Sequence, residues 1–165
     1  MINPQEIYKK IIYLLEQNKV EYKLFTHKQA LTYEELKEVQ NETGFFGTEM
    51  KCMVLKVDET FIVYVTLAGN KVNFENIQTR VNAKKIRLAT AQELQEYFGA
   101  QPGCAYPFGF DQQFNIYIDP NIYEQEWLLF SPILPTKTIQ IKGVNLKKIF
   151  TLLANTVIEV TNFNQ

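Results

Sequence analysis

The run KCMVLKVDETFIVYVTLA, residues 51–68, constrains the fold more than any other part of the chain. Two stretches rich in Val, Ile, Phe and Tyr flank Asp58 and Glu59, the pattern of two apolar strands joined by a tight turn. Such a hairpin needs further strands and a covering layer, and the remaining sequence offers both. NPQEIYKKIIYLLEQNK places Ile7, Ile11, Leu14 and Leu15 at helical spacing behind an Asn3 cap and Pro4 in the first turn. VEYKLFTH follows as a strand. TYEELKEVQNETG predicts a helix with Thr32 and Glu35 in capping-box spacing and Gly44 as its stop.

After the hairpin, VNFENIQTRVNA predicts a short helix and KKIRLA a strand. TAQELQEYFG predicts a helix capped by Thr90 and ended by Gly99. FNIYIDP, EWLLFSP and KTIQIKG are strand-like, VNLKKIFTLLANT is an amphipathic helix, and VIEV closes as a strand. Helices interspersed with strands in hairpin-like succession predict an α+β fold: one compact domain over residues 1–165, with a mixed β-sheet and flanking helices. No repeat, low-complexity tract or linker divides it.

Charge and cysteine usage narrow the function classes. A net charge of −1 gives no global basic field, so any RNA contact has to come from a local patch. The 2 cysteines, Cys52 and Cys104, are too few for a disulfide framework and lack metal-ligand spacing. The start MINPQEIYKK has no apolar signal core and no run reaches membrane-span length, so a cytoplasmic protein with no membrane partner is expected. The 12 Phe, 9 Tyr and 1 Trp permit a stacking surface, although aromatics more often fill a core. Phosphate-binding glycine motifs, His-x-x-x-His spacing and clustered carboxylates are all missing, which gives nucleotide hydrolysis and metal catalysis no support.

One segment stands out: EYFGAQPGCAYPFGFD packs two prolines and three glycines around Cys104 with few charges, a loop of few permitted conformations. A thiol nucleophile there is conceivable, yet no adjacent cation lowers the Cys104 pKa. His27, the 1 histidine, suits either acid–base work or a structural hydrogen bond at a strand end, and the second is the simpler reading. Lys51 leads its strand as a solvated end charge or as a point charge facing a cleft. Lys84, Lys85 and Arg87, with Lys137, Lys142, Lys147 and Lys148, could line an RNA backbone or simply be solvated surface.

The order of these features resembles the YbaK/ProX aminoacyl-tRNA editing domains. EMKCMVLKV is similar to the family's lysine-led strand, FGAQPGCAYPFGFD to its glycine- and proline-containing loop, and NIYIDPNIY to its strand ending in aspartate. WLLFSPILPTKTIQIKGVNLKKIF is similar to its closing segment, and LLEQNKVEYKLFTHKQALTYEEL to the opening of the branch that edits alanyl-tRNA(Pro). The resemblance implies a metal-free and cofactor-free hydrolysis of the ester joining a wrong small amino acid, of Ala, Cys or Ser type, to tRNA. The partner would be aminoacyl-tRNA, with a cognate aminoacyl-tRNA synthetase as a further candidate. It implies catalytic roles for Lys51, Gly103 and Pro107. Substrate contacts fall on Cys104, Ala105, Tyr106, Asp119, Ser131 and His27. Ser131 stands where the alanyl-editing branch has histidine and Pro135 where it has asparagine. Cys52 replaces a small polar residue, and Tyr106 a serine. Those departures motivate the alternative of a non-catalytic tRNA- or protein-binding module on the same scaffold.

Overall fold

The structure is a computed structural model and describes residues 1–165. Chain order runs α1 (Pro4–Gln17), β1 (Lys23–Thr26), α2 (Tyr33–Thr43), β2 (Thr48–Val57), β3 (Thr60–Leu67), α3 (Phe74–Val81), β4 (Ile86–Leu88) and α4 (Ala91–Phe98). It continues through β5 (Asn115–Ile118), a 3-10 turn at Pro120–Glu124, β6 (Leu128–Phe130), β7 (Lys137–Ile141), α5 (Gly143–Leu152) and β8 (Val157–Glu159). The expected helices and strands all form. The unforeseen element is the 3-10 turn, whose first residue follows Asp119; the Asp119 carboxyl accepts the Asn121 N–H and so caps it.

Local chemistry sets the boundaries. The Asn3 and Thr90 side chains cap α1 and α4, and Glu93 completes a reciprocal box on α4. On α2 the Thr32 hydroxyl accepts the Glu35 N–H, but the Glu35 carboxyl reaches the N–H of Leu31 rather than that of Thr32. Gly44 and Gly99 end their helices in the left-handed region.

The eight strands form one mixed sheet in the order β1-β7-β6-β2-β3-β5-β8, with β4 also against β2. The β2–β3 hairpin is antiparallel from Met50↔Leu67 to Val57↔Thr60. β5 lies parallel to β3, and β8 parallel to β5. On its other side β2 meets β6 in parallel at Thr48 and Glu49 only, and β4 antiparallel at Leu55 to Val57 only. Between those contacts β2 has no ladder partner on that side. This gap is the feature of the fold on which the site depends.

A large apolar cluster covers one face of the sheet. It takes Ile11 and Leu15 from α1, Phe98 from α4, Leu146, Ile149 and Phe150 from α5, and the 99–111 loop. A second cluster on the other face joins Leu55, Ile62 and Tyr64 to Ile77 of α3 and to Phe163. A third, smaller one sets Val39 of α2 on Ala30, Phe45 and Leu129. Most of the aromatic complement is core: Phe98 stacks on Phe114 with ring centroids 4.9 Å apart and sets its edge or face against Phe61 and Phe110. No helix is long and apolar enough to cross a membrane.

Candidate functional site

The constrained loop is anchored by alternation. Cys104, Tyr106, Phe108 and Phe110 all point into the large core cluster. The Tyr106 hydroxyl donates to the Phe98 carbonyl at 2.6 Å, and its ring lies 5.7 Å from that of Phe110. Gly103 and Ala105, the residues in between, line a cavity of about 180 Å³ instead. At Gly103, φ is +89° and an added Cβ would collide with the backbone carbonyl oxygen of Leu31, so only glycine lets the loop lie against the lead-in to α2.

The cavity sits against the unpaired edge of β2. Leu31, Thr32, Tyr33 and Leu36 form one wall; Glu49, Met50 and Cys52 of β2 form a second; Phe130 and Ser131 close it beside Gly103 and Ala105. The Val54 carbonyl accepts the Ala89 N–H on this edge. Period-two alternation therefore directs the N–H and C=O groups of Met50 and Cys52 to the same side, toward the hollow. Met50 and Cys52 turn their side chains to the large core cluster, Glu49 lies on the other face by alternation, and all three line the hollow.

Electrostatically the lining holds one carboxyl and no cation. Glu49 Oε1 is buried and has no hydrogen-bond donor, and no lysine or arginine lies at ion-pair distance from it. Burial pushes its pKa up to about 7. Tyr33, half exposed at the mouth, has its phenol pushed up to about 12, first by burial and then by Cys52 and Glu49. Ser131 Oγ donates weakly to the Leu134 carbonyl at 3.3 Å.

The other expected site residues fall elsewhere. Cys104 is fully buried and burial pushes its thiol up to about 11, so at neutral pH it is a protonated core residue and not a nucleophile. The expected substrate contacts of Cys104 and Tyr106 are corrected accordingly, since loop alternation turns both away from the cavity. Pro107 is buried behind them. His27 engages both ring nitrogens. Nδ1 is 2.7 Å from the Lys28 carbonyl and must donate, which leaves Nε2 to accept from the Thr138 hydroxyl at 2.8 Å in the neutral ring. That is the structural-bond reading, and His27 is not part of the cavity wall.

Asp119 lies in a separate polar knot. Its Oδ2 accepts the Thr66 hydroxyl and the Asn164 amide, each at 2.8 Å, and its Oδ1 accepts the Asn121 N–H at 3.0 Å. Lys51 shares the Glu49 face of β2 two residues further on. Its ammonium crosses β3 to donate to the Asn70 carbonyl at 3.2 Å, and it does not line the cavity. Asn70 in turn donates to Thr66, which ties Lys51 to the Asp119 knot.

Sequence reasoning passed over Glu49, Tyr33 and Leu31. Its one available signal was an acidic residue heading an otherwise apolar strand, a position the lysine beside it overshadowed.

The aminoacyl-tRNA editing domain model matches residues 27–149, a span containing every wall of this cavity. The chain belongs to the aminoacyl-tRNA editing domain family. Within it, the chain is similar to the prolyl-tRNA editing protein ProX of Acetoanaerobium sticklandii, 22% identical over 88% of this chain and 92% of that one. It is 28% identical to a proline–tRNA ligase of Bacillus licheniformis over 51% of this chain, and there it spans only 15% of the ligase's length. Two solved structures share the fold. One is a hypothetical protein, with a TM-score of 0.74 at 14% identity over 92% of this chain and 98% of that one. The other is described as a candidate trans-editing enzyme for prolyl-tRNA synthetase, with a TM-score of 0.70 at 16% identity over 94% and 97%.

Proposed function

We propose that this editing domain is a deacylase acting in trans, hydrolysing the ester between a small wrong amino acid (Ala, Cys or Ser type) and a tRNA, with tRNA(Pro) the leading candidate. The observation that carries the reading is the hollow shared by Gly103, Ala105, Ser131 and the unpaired edge of β2. Its volume of about 180 Å³ falls below the roughly 300–1,000 Å³ of pockets that enclose drug-sized ligands. It suits a short side chain and excludes larger ones by contact, which is how a rigid wall sieves.

An aminoacyl ester is already activated, so the protein has to orient it and stabilise charge more than supply a nucleophile. Main-chain groups of Met50 and Cys52 can fix the ester, and the N-terminus of α2 presents its positive end to the same hollow. Attack by water with help from the terminal ribose hydroxyl, as the family resemblance implies, asks for no protein base, no metal and no cofactor. Lys51 contributes only by exchanging its bond to Asn70 for substrate, at a cost of about 1 kcal/mol for one hydrogen bond. Lys51→Ala is expected to fold normally and to lose deacylation; unchanged turnover removes Lys51 from the site.

A local basic patch supplies the RNA contact in this reading. Lys56, Lys84, Lys85 and Arg87 border one hollow together with the carboxylates of Asp58 and Glu59, and it begins roughly 13 Å beyond Cys52 along β2 at ~3.3 Å per residue. Glu93 takes up part of the charge, through a two-pronged bond with Arg87 at 2.8 Å and an ion pair with Lys56 at 3.6 Å. Lys84 and Lys85 are in no ion pair, but the Asp58 and Glu59 carboxylates beside them balance their charge, so the patch is a modest one.

The non-catalytic module keeps one observation on its side, the engagement of the Lys51 ammonium by Asn70 away from the cavity. Labelled alanyl-, seryl-, cysteinyl- and prolyl-tRNA separate the two readings. Faster ester loss than in buffer for one small amino acid, with prolyl-tRNA spared, supports the deacylase; no acceleration across the panel favours the module.

A further inference from the structure

We propose that Glu49 is the receptor for the substrate's α-ammonium group, so that the cavity accepts aminoacyl esters with a free amine and refuses N-acylated ones. The inference rests on the editing reading above and adds to it the chemical class of the ligand's polar end.

Three features of the site carry it. A buried carboxyl oxygen without a donor leaves a hydrogen-bonding site unfilled, and such groups are rare unless something fills them. Glu49 lines a hollow that contains no basic side chain, and no cation of the protein lies at ion-pair distance, so a donor for its carboxyl has to come from outside the chain. Finally, Glu49 precedes Met50 and Cys52 on β2 and lines the same hollow as they do. An amino-acid ester presents an ammonium and a carbonyl separated by a single carbon, and the hollow is lined by a carboxyl and by strand residues whose main-chain dipoles are unpaired.

The remaining titratable neighbours are Tyr33 from α2 and Cys52 from β2, both of which burial holds in their neutral, protonated forms. Neither can supply a cation to Glu49. A bound ammonium would offset the desolvation that raises the carboxyl's pKa, and would drive off its proton on binding.

The test compares alanyl-tRNA with N-acetylalanyl-tRNA on the full chain and on Glu49→Gln. The full chain is expected to favour the free amine by about 10- to 100-fold, the worth of a charge-assisted hydrogen bond. Glu49→Gln should narrow that preference to about twofold, mainly through KM, while Glu49→Asp keeps part of it. In parallel, the Glu49 side-chain carboxyl resonance is followed by carbon NMR with alaninamide and N-acetylalaninamide as probes. A shift with the first and none with the second supports the assignment even if no ester is cleaved, in which case the deacylase reading fails and the ammonium site stands. Equal cleavage of blocked and free esters, or a Glu49 resonance indifferent to alaninamide, overturns it.

Discussion

Two carboxyls are withdrawn from water on β2 and at the end of β5, the strands on either side of β3, and the protein treats them in opposite ways. Asp119, 2% exposed at the end of β5, receives a hydroxyl, a side-chain amide and a backbone N–H. Glu49, on β2, has an oxygen that receives nothing. Burial cost is similar in kind for both, so the difference lies in the donors. Asp119 spends its bonding capacity fastening the 3-10 turn and the C-terminal Asn164 to β3. Glu49, which lines a hollow, leaves part of that capacity unused. The resemblance alone would place Asp119 at the chemistry, while the hydrogen bonding assigns it to the scaffold and leaves Glu49 available to a ligand.

The contrast breaks most severely if the two amide isosteres behave alike. Asp119→Asn turns an acceptor into a donor among donors and is expected to cost about 3 kcal/mol of stability, read from urea denaturation. Gly103→Ala comes next. It forces a Cβ against the Leu31 carbonyl and a side chain into a left-handed φ, so it should cost about 2 kcal/mol and reduce deacylation on the order of 100-fold, with the Asp119 knot unchanged in amide exchange.

Glu49→Gln should do the reverse of Asp119→Asn, in a pH-dependent manner. The native carboxyl titrates near 7 against an ordinary 4.5, so between those values the folded chain holds more protons than the unfolded one. Wild-type stability relative to Glu49→Gln should be fully present below about 4.5 and fall as pH rises to about 7, by on the order of 2 kcal/mol. Parallel unfolding curves at pH 5 and pH 8 measure it, and a pH-independent difference would remove Glu49 from its buried, unpartnered state. The smallest effect belongs to Tyr106→Phe. Losing the bond to the Phe98 carbonyl should cost about 1 kcal/mol and leave the choice among alanyl, seryl and cysteinyl esters unaltered.

Much of the fold was legible because helix and strand signals are local. Thr90 with Glu93, Gly44 and Gly99 mark helix ends wherever the chain goes afterwards, and the Val- and Ile-rich hairpin pairs with itself. The cavity was less legible because it arises where pairing is missing. Nothing in KCMVLKV records that β6 stops at Glu49 and β4 starts at Leu55. The prolines and glycines mark the loop, yet its alternation is what matters: the resemblance places Cys104 and Tyr106 at the substrate by position, and position in a motif does not say which way a side chain turns. His27 has two readings in the sequence, a bonded strand-end residue and, through the resemblance, a substrate contact; its bonds to Lys28 and Thr138 match the first. Glu49 escaped because its meaning is an unmade bond, visible only after every donor nearby has been placed.

The bare stretch of β2 has an evolutionary consequence. Amide groups belong to every residue except proline, so mutation there reshapes the hollow without removing the dipoles that line it. Sequence can therefore drift far, just as a solved structure only 14% identical keeps this architecture, and side-chain selection can be retuned by swapping Met50, Cys52 or Ala105 while the part that would grip the ester is carried by the backbone.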